Sequence, residues 1–337
     1  MQPGPVSKSL LPFLTSIGLT DSLASDFTDL IEDGLVPGRV ARVDRISLLV
    51  LTEHGQSRAE ATRDLLAELS RELWPAVGDW VTVRDRPLHD TDSIEAVLPR
   101  SSTLARKRVD SGRRNTAGQI QVIAANVDYV FATHSAVNVN LARLSREVVQ
   151  IGQSGADPVV ILTKMDLVED PEQVIQEVEA AMPNVPVHLV DGLTGDGSDG
   201  LRKYLAGNRT IVFIGASGVG KSTLSNHLLG REELATREIR ENDQRGRHTT
   251  TARHLIPVPG GGVLIDTPGM RSFALHEADE SLSVAFSTID DLALECAFRN
   301  CRHGAEPNCA VQAAIKSGKL PAARLDQYLK LGREIRH

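Results

Sequence analysis

Cysteine is scarce in this 337-residue chain, occurring three times. That excludes a disulfide framework. All three fall between Cys296 and Cys309, a clustering that points to metal instead. Long apolar runs are missing too, since none approaches the roughly 18 residues of a membrane helix. The N-terminus lacks the pattern of a secretory leader: the apolar patch Leu10–Leu14 is short, broken by Pro12 and soon followed by acidic residues. A cytoplasmic chain with no membrane partner is expected. Positive charge is in deficit overall, at a formal net charge of −7, which taken whole weighs against nucleic acid.

The charge is unevenly spread. Residues 296–337 hold 8 Lys and Arg against 3 Asp and Glu, whereas residues 121–295 hold 14 against 24. A second basic stretch runs from Arg100 to Arg114, with Arg106, Lys107, Arg108 and Arg113 between them and Asp110 as its one acid. Such blocks are either solvated faces or polyanion contacts, because Lys/Arg clusters neutralise phosphates and release counterions.

The length allows two or three domains, and four segments are expected. Residues 1–36 read as a helical, acidic extension. Residues 37–104 contain short β-like runs (Gly38–Val43, Ser47–Thr52, Asp79–Val83) between turn residues, which predicts an OB-like barrel. Residues 105–278 alternate apolar runs with helical patterns: Val127–Ala132, Pro158–Leu162, Val185–Val190, Thr210–Ile214 and Gly262–Ile265. That texture predicts an α/β fold with a parallel, doubly wound sheet. Helices are expected near 140–153, 171–182, 199–206 and 221–230, and the polar stretch 231–254 as a loop. Residues 279–337 read as a helical, cysteine-bearing C-terminal domain.

The sharpest motif is Gly215-Ala216-Ser217-Gly218-Val219-Gly220-Lys221-Ser222, followed by Thr223. It sits between an apolar strand pattern and a helical one, the context of a phosphate-binding loop. Its glycines let backbone N–H groups turn toward phosphates, and the helix start adds favourable dipole. Lys221 would reach the β- and γ-phosphates, and the Ser222 hydroxyl would hold Mg²⁺. Asp266-Thr-Pro-Gly269 ends the last apolar run; Asp266 would hold Mg²⁺ through water, and the Gly269 N–H would sense the γ-phosphate. Thr163-Lys164-Met165-Asp166 follows the strand Pro158–Leu162, where Asp166 would pair with the guanine N1–H and exocyclic amine.

In an ordinary GTPase the base-reading motif follows the other two. Here it precedes them, so a circularly permuted P-loop G domain is predicted; the same sheet can be built by joining old termini and opening a loop. Finally, Cys296-x4-Cys301-x-His303-x5-Cys309 offers three thiolates and an imidazole, the donor set of one closed structural Zn²⁺ site.

At this point the sequence resembles the ribosome small-subunit-dependent GTPases of the RsgA, or YjeQ, family. The resemblance runs from about Pro37 to Leu331. It rests on the permuted motif order, the Cys/His spacing, Val77-Gly-Asp-Trp80, Ala125-Asn-Val-Asp128 and Gly246-Arg-His-Thr-Thr-Thr251. It implies an OB-fold domain, a permuted G domain and a zinc domain. It further implies GTP hydrolysis stimulated by the small ribosomal subunit, in late subunit maturation; GTP/GDP, that subunit and its rRNA are the expected partners, and a monomer is expected. Two departures stand out. Thr163 occupies the usual Asn position, so one contact to the guanine and the neighbouring loop is weakened or replaced. The expected fifth motif reads Asp191-Gly192, and no residue is carried over there.

The residue after Gly269 is Met270, which cannot orient a water for attack on the γ-phosphate. Slow intrinsic hydrolysis is expected. His248 is the candidate for the missing catalytic group, as the family resemblance also suggests, and Thr250 the candidate among Thr249–Thr251 to close on Mg²⁺. Two rivals stay open: an RNA-binding assembly factor using GTP and GDP only as a switch, and a P-loop ATPase or small-molecule kinase. The latter leaves Thr163–Asp166 without a purpose.

Overall fold

The structure is a computed structural model. It describes residues 9, 11–30, 34–44, 46–107, 120–191, 194–216, 218–230, 253–266, 288–289, 291–298, 301–304, 306–322, 324–326 and 328–329.

Two short helices, α1 (Pro12–Ser16) and α2 (Asp21–Leu30), precede five strands: β1 (Leu35–Val43), β2 (Leu48–Thr52), β3 (Gly55–Ala61), β4 (Trp80–Arg84) and β5 (Asp92–Val97). Their pairing runs β1-β2-β3-β5-β4 and returns to β1, with β3 and β5 parallel and the other neighbours antiparallel. This closed five-stranded barrel, with helix α3 (Arg63–Glu68) between β3 and β4, is OB-like. Val40, Val50, Val81, Val83 and Ile94 fill its interior. Three of its strands contain the short β-like runs expected between turn residues; Gly55–Ala61 and Asp92–Val97 are too polar to read that way.

A hairpin of β6 (Thr103–Lys107) and β7 (Ile120–Ala125) leads on from the barrel. The expected boundary at residue 104 falls inside β6. The α/β sheet follows: β8 (Tyr129–Ser135), β9 (Asp157–Thr163), β10 (Val187–Val190), β11 (Thr210–Gly215), β12 (His254–Pro257) and β13 (Val263–Asp266). Their lateral order is β10-β9-β8-β11-β13-β12, parallel except for β12. The chain moves outward from β8 to β10, then returns to the middle at β11. The order therefore reverses between β8 and β11, and ligands bind outside the carboxyl ends of strands at such a point.

Helices cover the sheet for readable reasons. Helix α4 (Leu141–Gln153) starts on Asn140, whose side chain accepts the Arg143 N–H at 2.9 Å, and buries Leu144, Val148 and Ile151. Helix α5 (Pro171–Ala181) pairs Pro at its first position with an Asp170 cap. Helix α6 (Lys221–Leu229) follows β11 and ends at Gly230, whose φ is 66°. The pattern expected as a helix at 199–206 winds instead as a 3₁₀ helix, Ser198–Leu205. It starts from Gly197 at φ 83° with no side-chain cap. Helix α7 (Ala310–Lys316) lies in the C-terminal segment, where Val311, Leu320 and Leu325 join the same core as Phe27, Trp80 and Leu144.

Barrel and sheet meet at a buried cation. Arg39 of β1 is 1% exposed. Its guanidinium donates to the carbonyls of Gly78 (3.2 Å), Asn126 (3.0 Å) and Ile17, and to Thr210 Oγ1 at 2.9 Å, and lies 5.1 Å from the Trp80 ring. Burial lowers its pKa to about 10, against the opposing pull of Asp128 and Asp79. A Cβ on Gly78 would stand 2.1 Å from the Ala125 carbonyl oxygen, so only glycine allows this approach. The Asn126 amide donates to Gly78 O at 3.1 Å while its oxygen accepts the Ser101 N–H at 2.9 Å. The Val77–Trp80 and Ala125–Asp128 motifs are thus the two halves of one joint.

Candidate nucleotide site and metal centre

The three nucleotide motifs converge on one edge. Register pairs Gly215 with Thr133, Ser135 with Thr163, and Val212 with Ile265 across parallel strands. Gly215, Thr163 and Asp266 therefore all end their strands at the carboxyl edge of the sheet.

The phosphate loop connects β11 to α6. Gly215 has φ 142°, and a Cβ there would meet the Thr133 carbonyl oxygen at 2.2 Å; Gly218 and Gly220 have φ 75° and 103°. Ala216 and Gly218 are exposed and Val219 is buried; Ser217 lies outside the described residues. Helices α3, α4, α5 and α7 each start on a side chain that accepts a first-turn N–H, whereas α6 starts on Gly220 with none. Its first turn begins at Lys221 without a side-chain cap from the preceding residue, and a helix start after a glycine-rich loop favours an anion. Lys221 Nζ donates to the carbonyls of Gly215 (2.8 Å) and Ala216 (2.7 Å), folding the side chain back over the loop.

At the end of β9, Lys164 adopts φ 59° and caps a 3₁₀ turn, Met165–Leu167, that leaves Asp166 exposed to solvent. Thr163 is 1% exposed, and its Oγ1 donates to the Val219 carbonyl at 2.7 Å. The base-reading strand is thereby tied directly to the phosphate loop, a contact that residue spacing alone did not reveal. Asp266, half-buried, pairs in register with His254. Gly269, His248 and Thr250 lie outside the described residues, as does Gly192.

The second centre is brought together as expected. One donor atom each from Cys296, Cys301, His303 and Cys309 lies within 4.8 Å of the others. The Cys296 and Cys309 sulfurs are 3.8 Å apart, and they stand 3.7 and 3.5 Å from His303 Nδ1. A tetrahedral ion with bonds of about 2.3 Å to sulfur and about 2.0–2.1 Å to nitrogen sets S···S edges near ~3.8 Å and S···N edges near ~3.6 Å. The group can hold a metal ion. Burial would raise the Cys296 thiol, but backbone N–H groups of Val311 and Ala310 and the other thiols bring it below its ordinary value.

Supporting contacts here were not foreseen. Gln312 donates through Nε2 to the His303 carbonyl at 2.6 Å and through its N–H to Cys309 Sγ at 3.4 Å. The Glu306 carboxylate accepts the N–H groups of Arg302 (3.0 Å) and Gly304 (2.7 Å). An acid inside the Cys/His loop and an amide three residues beyond it were the available signal. The basic stretch also changes character: Arg100 pairs through both nitrogens with buried Asp79 at 2.7 Å and donates to the carbonyls of Glu72 and Trp74. Its charge is committed inside the joint. Arg108, Arg113 and Arg114 lie outside the described residues.

A family model described as RsgA GTPase matches residues 97–276. A Streptomyces coelicolor protein named small ribosomal subunit biogenesis GTPase RsgA is 44% identical over 325 residues, covering 95% of this chain and 86% of its own. Among solved structures, YjeQ from Thermotoga maritima matches with a TM-score of 0.67 at 24% identity, over 89% of this chain and 98% of that one. YloQ, titled a circularly permuted GTPase, matches with a TM-score of 0.63 at 26% identity, over 90% and 96%. The fold is that of these two structures, and the chain belongs to the RsgA GTPase family.

Proposed function

We propose that this chain hydrolyses GTP to GDP and phosphate as a biogenesis factor of the small ribosomal subunit. The observation that carries the reading is the convergence of Gly215–Thr223, Thr163–Asp166 and Asp266 on one sheet edge in permuted order, in a chain 44% identical to a small-subunit biogenesis GTPase. In this site the first-turn N–H groups of α6 and the Lys221 ammonium bind the phosphates, and Asp166 accepts from guanine. Mg²⁺, held by Ser222 and Asp266 with Thr250, would neutralise charge on the β- and γ-oxygens. His248 is the residue assigned to orient the attacking water, and Gly269 the γ-phosphate sensor. Cys296, Cys301, His303 and Cys309 suit one structural zinc, a closed S₃N set with no open position.

The domain division 1–36, 37–104, 105–278 and 279–337 accompanies this reading, with the barrel and the basic C-terminal region as the two rRNA-facing surfaces. We place the monomer in the cytoplasm; no helix of the described residues is long and apolar enough to cross a membrane. The deciding experiment measures GTP and ATP hydrolysis with and without purified 30S subunits. GTP-selective turnover that rises strongly with subunits supports the reading. Turnover unchanged by subunits would favour the switch-only factor, and equal use of ATP would favour the ATPase.

A further inference from the structure

The loop after β10 is shaped by close approaches. Val190 pairs with Thr163 in the parallel register, so the chain from Asp191 onward emerges beside the turn that carries Lys164 and Asp166. It then closes on itself. The Gly195 N–H donates to the Asp191 carbonyl at 3.0 Å, the Asp191 N–H to the Asp196 carbonyl at 2.9 Å, and the Ser198 N–H to the Gly195 carbonyl at 3.0 Å. A Cβ on Gly197 would stand 2.4 Å from the Leu189 carbonyl oxygen, which seats the returning end of the loop on β10.

The outer part of the loop rests on another element. A Cβ on Gly195, whose φ is 81°, would stand 2.8 Å from Cε1, 2.9 Å from Nδ1 and 3.3 Å from Nε2 of His227. One side of the imidazole thus fills the space a side chain would take. His227 lies on α6, the helix that opens at Lys221 directly after the phosphate loop. Its carbonyl also accepts from Arg202 Nη2 at 3.3 Å, in the 3₁₀ helix that continues from the loop. One residue of α6 therefore meets this segment twice, through its ring and through its backbone.

We infer that His227 is a positioning residue of the nucleotide site: it braces the Asp191–Ser198 loop as the wall opposite the Lys164–Asp166 turn, with the base between them. The inference rests on the GTP-binding reading above. The phosphates sit at the start of α6, and the brace lies six residues, about 9 Å, further along the same helix. Losing the ring therefore loosens the base end of the site and leaves the phosphate end as it was, an effect that appears mainly in the rate of release. The readout is release of labelled GDP, and its displacement by GDP and by pyrophosphate, with Mg²⁺ present. His227→Ala speeds GDP release by roughly 3- to 10-fold and leaves pyrophosphate affinity at the parent value. His227→Phe, which keeps a planar ring in the space, returns release close to the parent rate. Gly195→Ala speeds release in the parent, because its methyl and the imidazole claim the same space, and does less when added to His227→Ala. The strain of alanine at φ 81° is common to both backgrounds and drops out of the cycle. Should His227→Ala fold poorly, His227→Gln supplies the same comparison. Unchanged GDP release, pyrophosphate weakened as much as GDP, or equal effects of Gly195→Ala in both backgrounds would overturn the inference. Failure of the GTP reading itself looks different: the parent protein would then bind ADP as tightly as GDP.

Discussion

The guanidinium of Arg39 donates to the hydroxyl of Thr210 across 2.9 Å, linking the first strand of the barrel to the first residue of the strand that ends in the phosphate loop. The same cation satisfies three carbonyls from three further segments. Arg39→Met would leave these acceptors buried without a donor, at a cost on the order of 3–5 kcal/mol. Urea unfolding should report that loss, with barrel and G-domain probes shifting together. Separate transitions would mean that the joint is not what couples them.

Asp166 and Lys221 meet different ends of the nucleotide. Asp166→Asn should lower GTP affinity by about 100-fold or more, because the carboxylate acceptor for the guanine N1–H and amine is lost, and should raise affinity for XTP. Lys221→Ala should weaken GTP and XTP alike or abolish turnover. Competition binding against labelled GDP separates the two patterns.

For the Cys/His centre, elemental analysis should find about one zinc per chain. Cys301→Ser should lose it, and α7 should fray, since its N-cap acceptor is Cys309 of the same cluster. Hydrogen exchange in residues 310–316 would rise while GDP affinity stays within about twofold. A metal-free parent with a protected α7 would overturn the assignment.

With Met270 following Gly269, unstimulated hydrolysis should run well below ~1 per second, in the range of slow switch GTPases. His248→Ala should cut the 30S-stimulated rate at least about 100-fold and spare GTP binding. Equal stimulated rates in parent and variant would remove His248 from the chemistry.

Near neutral pH a buried carboxylate with two partners steadies α4. Glu147 accepts from His134 Nε2 at 2.7 Å and from Arg143 Nε at 2.9 Å. Burial alone would raise its carboxyl, but the hydrogen bond and charge of His134, and then of Arg143, outweigh it and hold the group below its ordinary 4.5. A depressed folded value stabilises the ionised form. The contribution is therefore full above 4.5 and disappears as pH falls through the folded value. Unfolding free energies of the parent and Glu147→Gln, well separated at pH 7, should converge as acid is added.

Much of this was legible from residue order. The phosphate loop could be read because glycine, lysine and strand-to-helix texture are all local signals, and the Cys/His cluster because its ligands fall within 14 residues. Closure of the barrel through β1 and β4 was only half visible, since β3 and β5 carry few apolar residues and are placed by their partners. The joint was visible as motifs without a purpose: Arg39, Gly78, Asn126 and Thr210 are far apart in sequence, and only folding brings them together. Thr163 was expected to weaken or replace one contact to the guanine and the neighbouring loop. Its hydroxyl instead faces a carbonyl 56 positions later, a relation that no local pattern encodes.

The lateral ends of the sheet offer very different surfaces to a second polypeptide. On one side β12 abuts the barrel at the Arg42–His254 pair, and the barrel returns on itself through β1 and β4. On the other, β10 faces no further strand among the described residues, but it is only four residues long, about 13 Å of backbone ladder. A strand that short is a poor template for edge-to-edge growth. Within the large sheet, among the described residues, that short strand is the flank at which association by strand addition could begin.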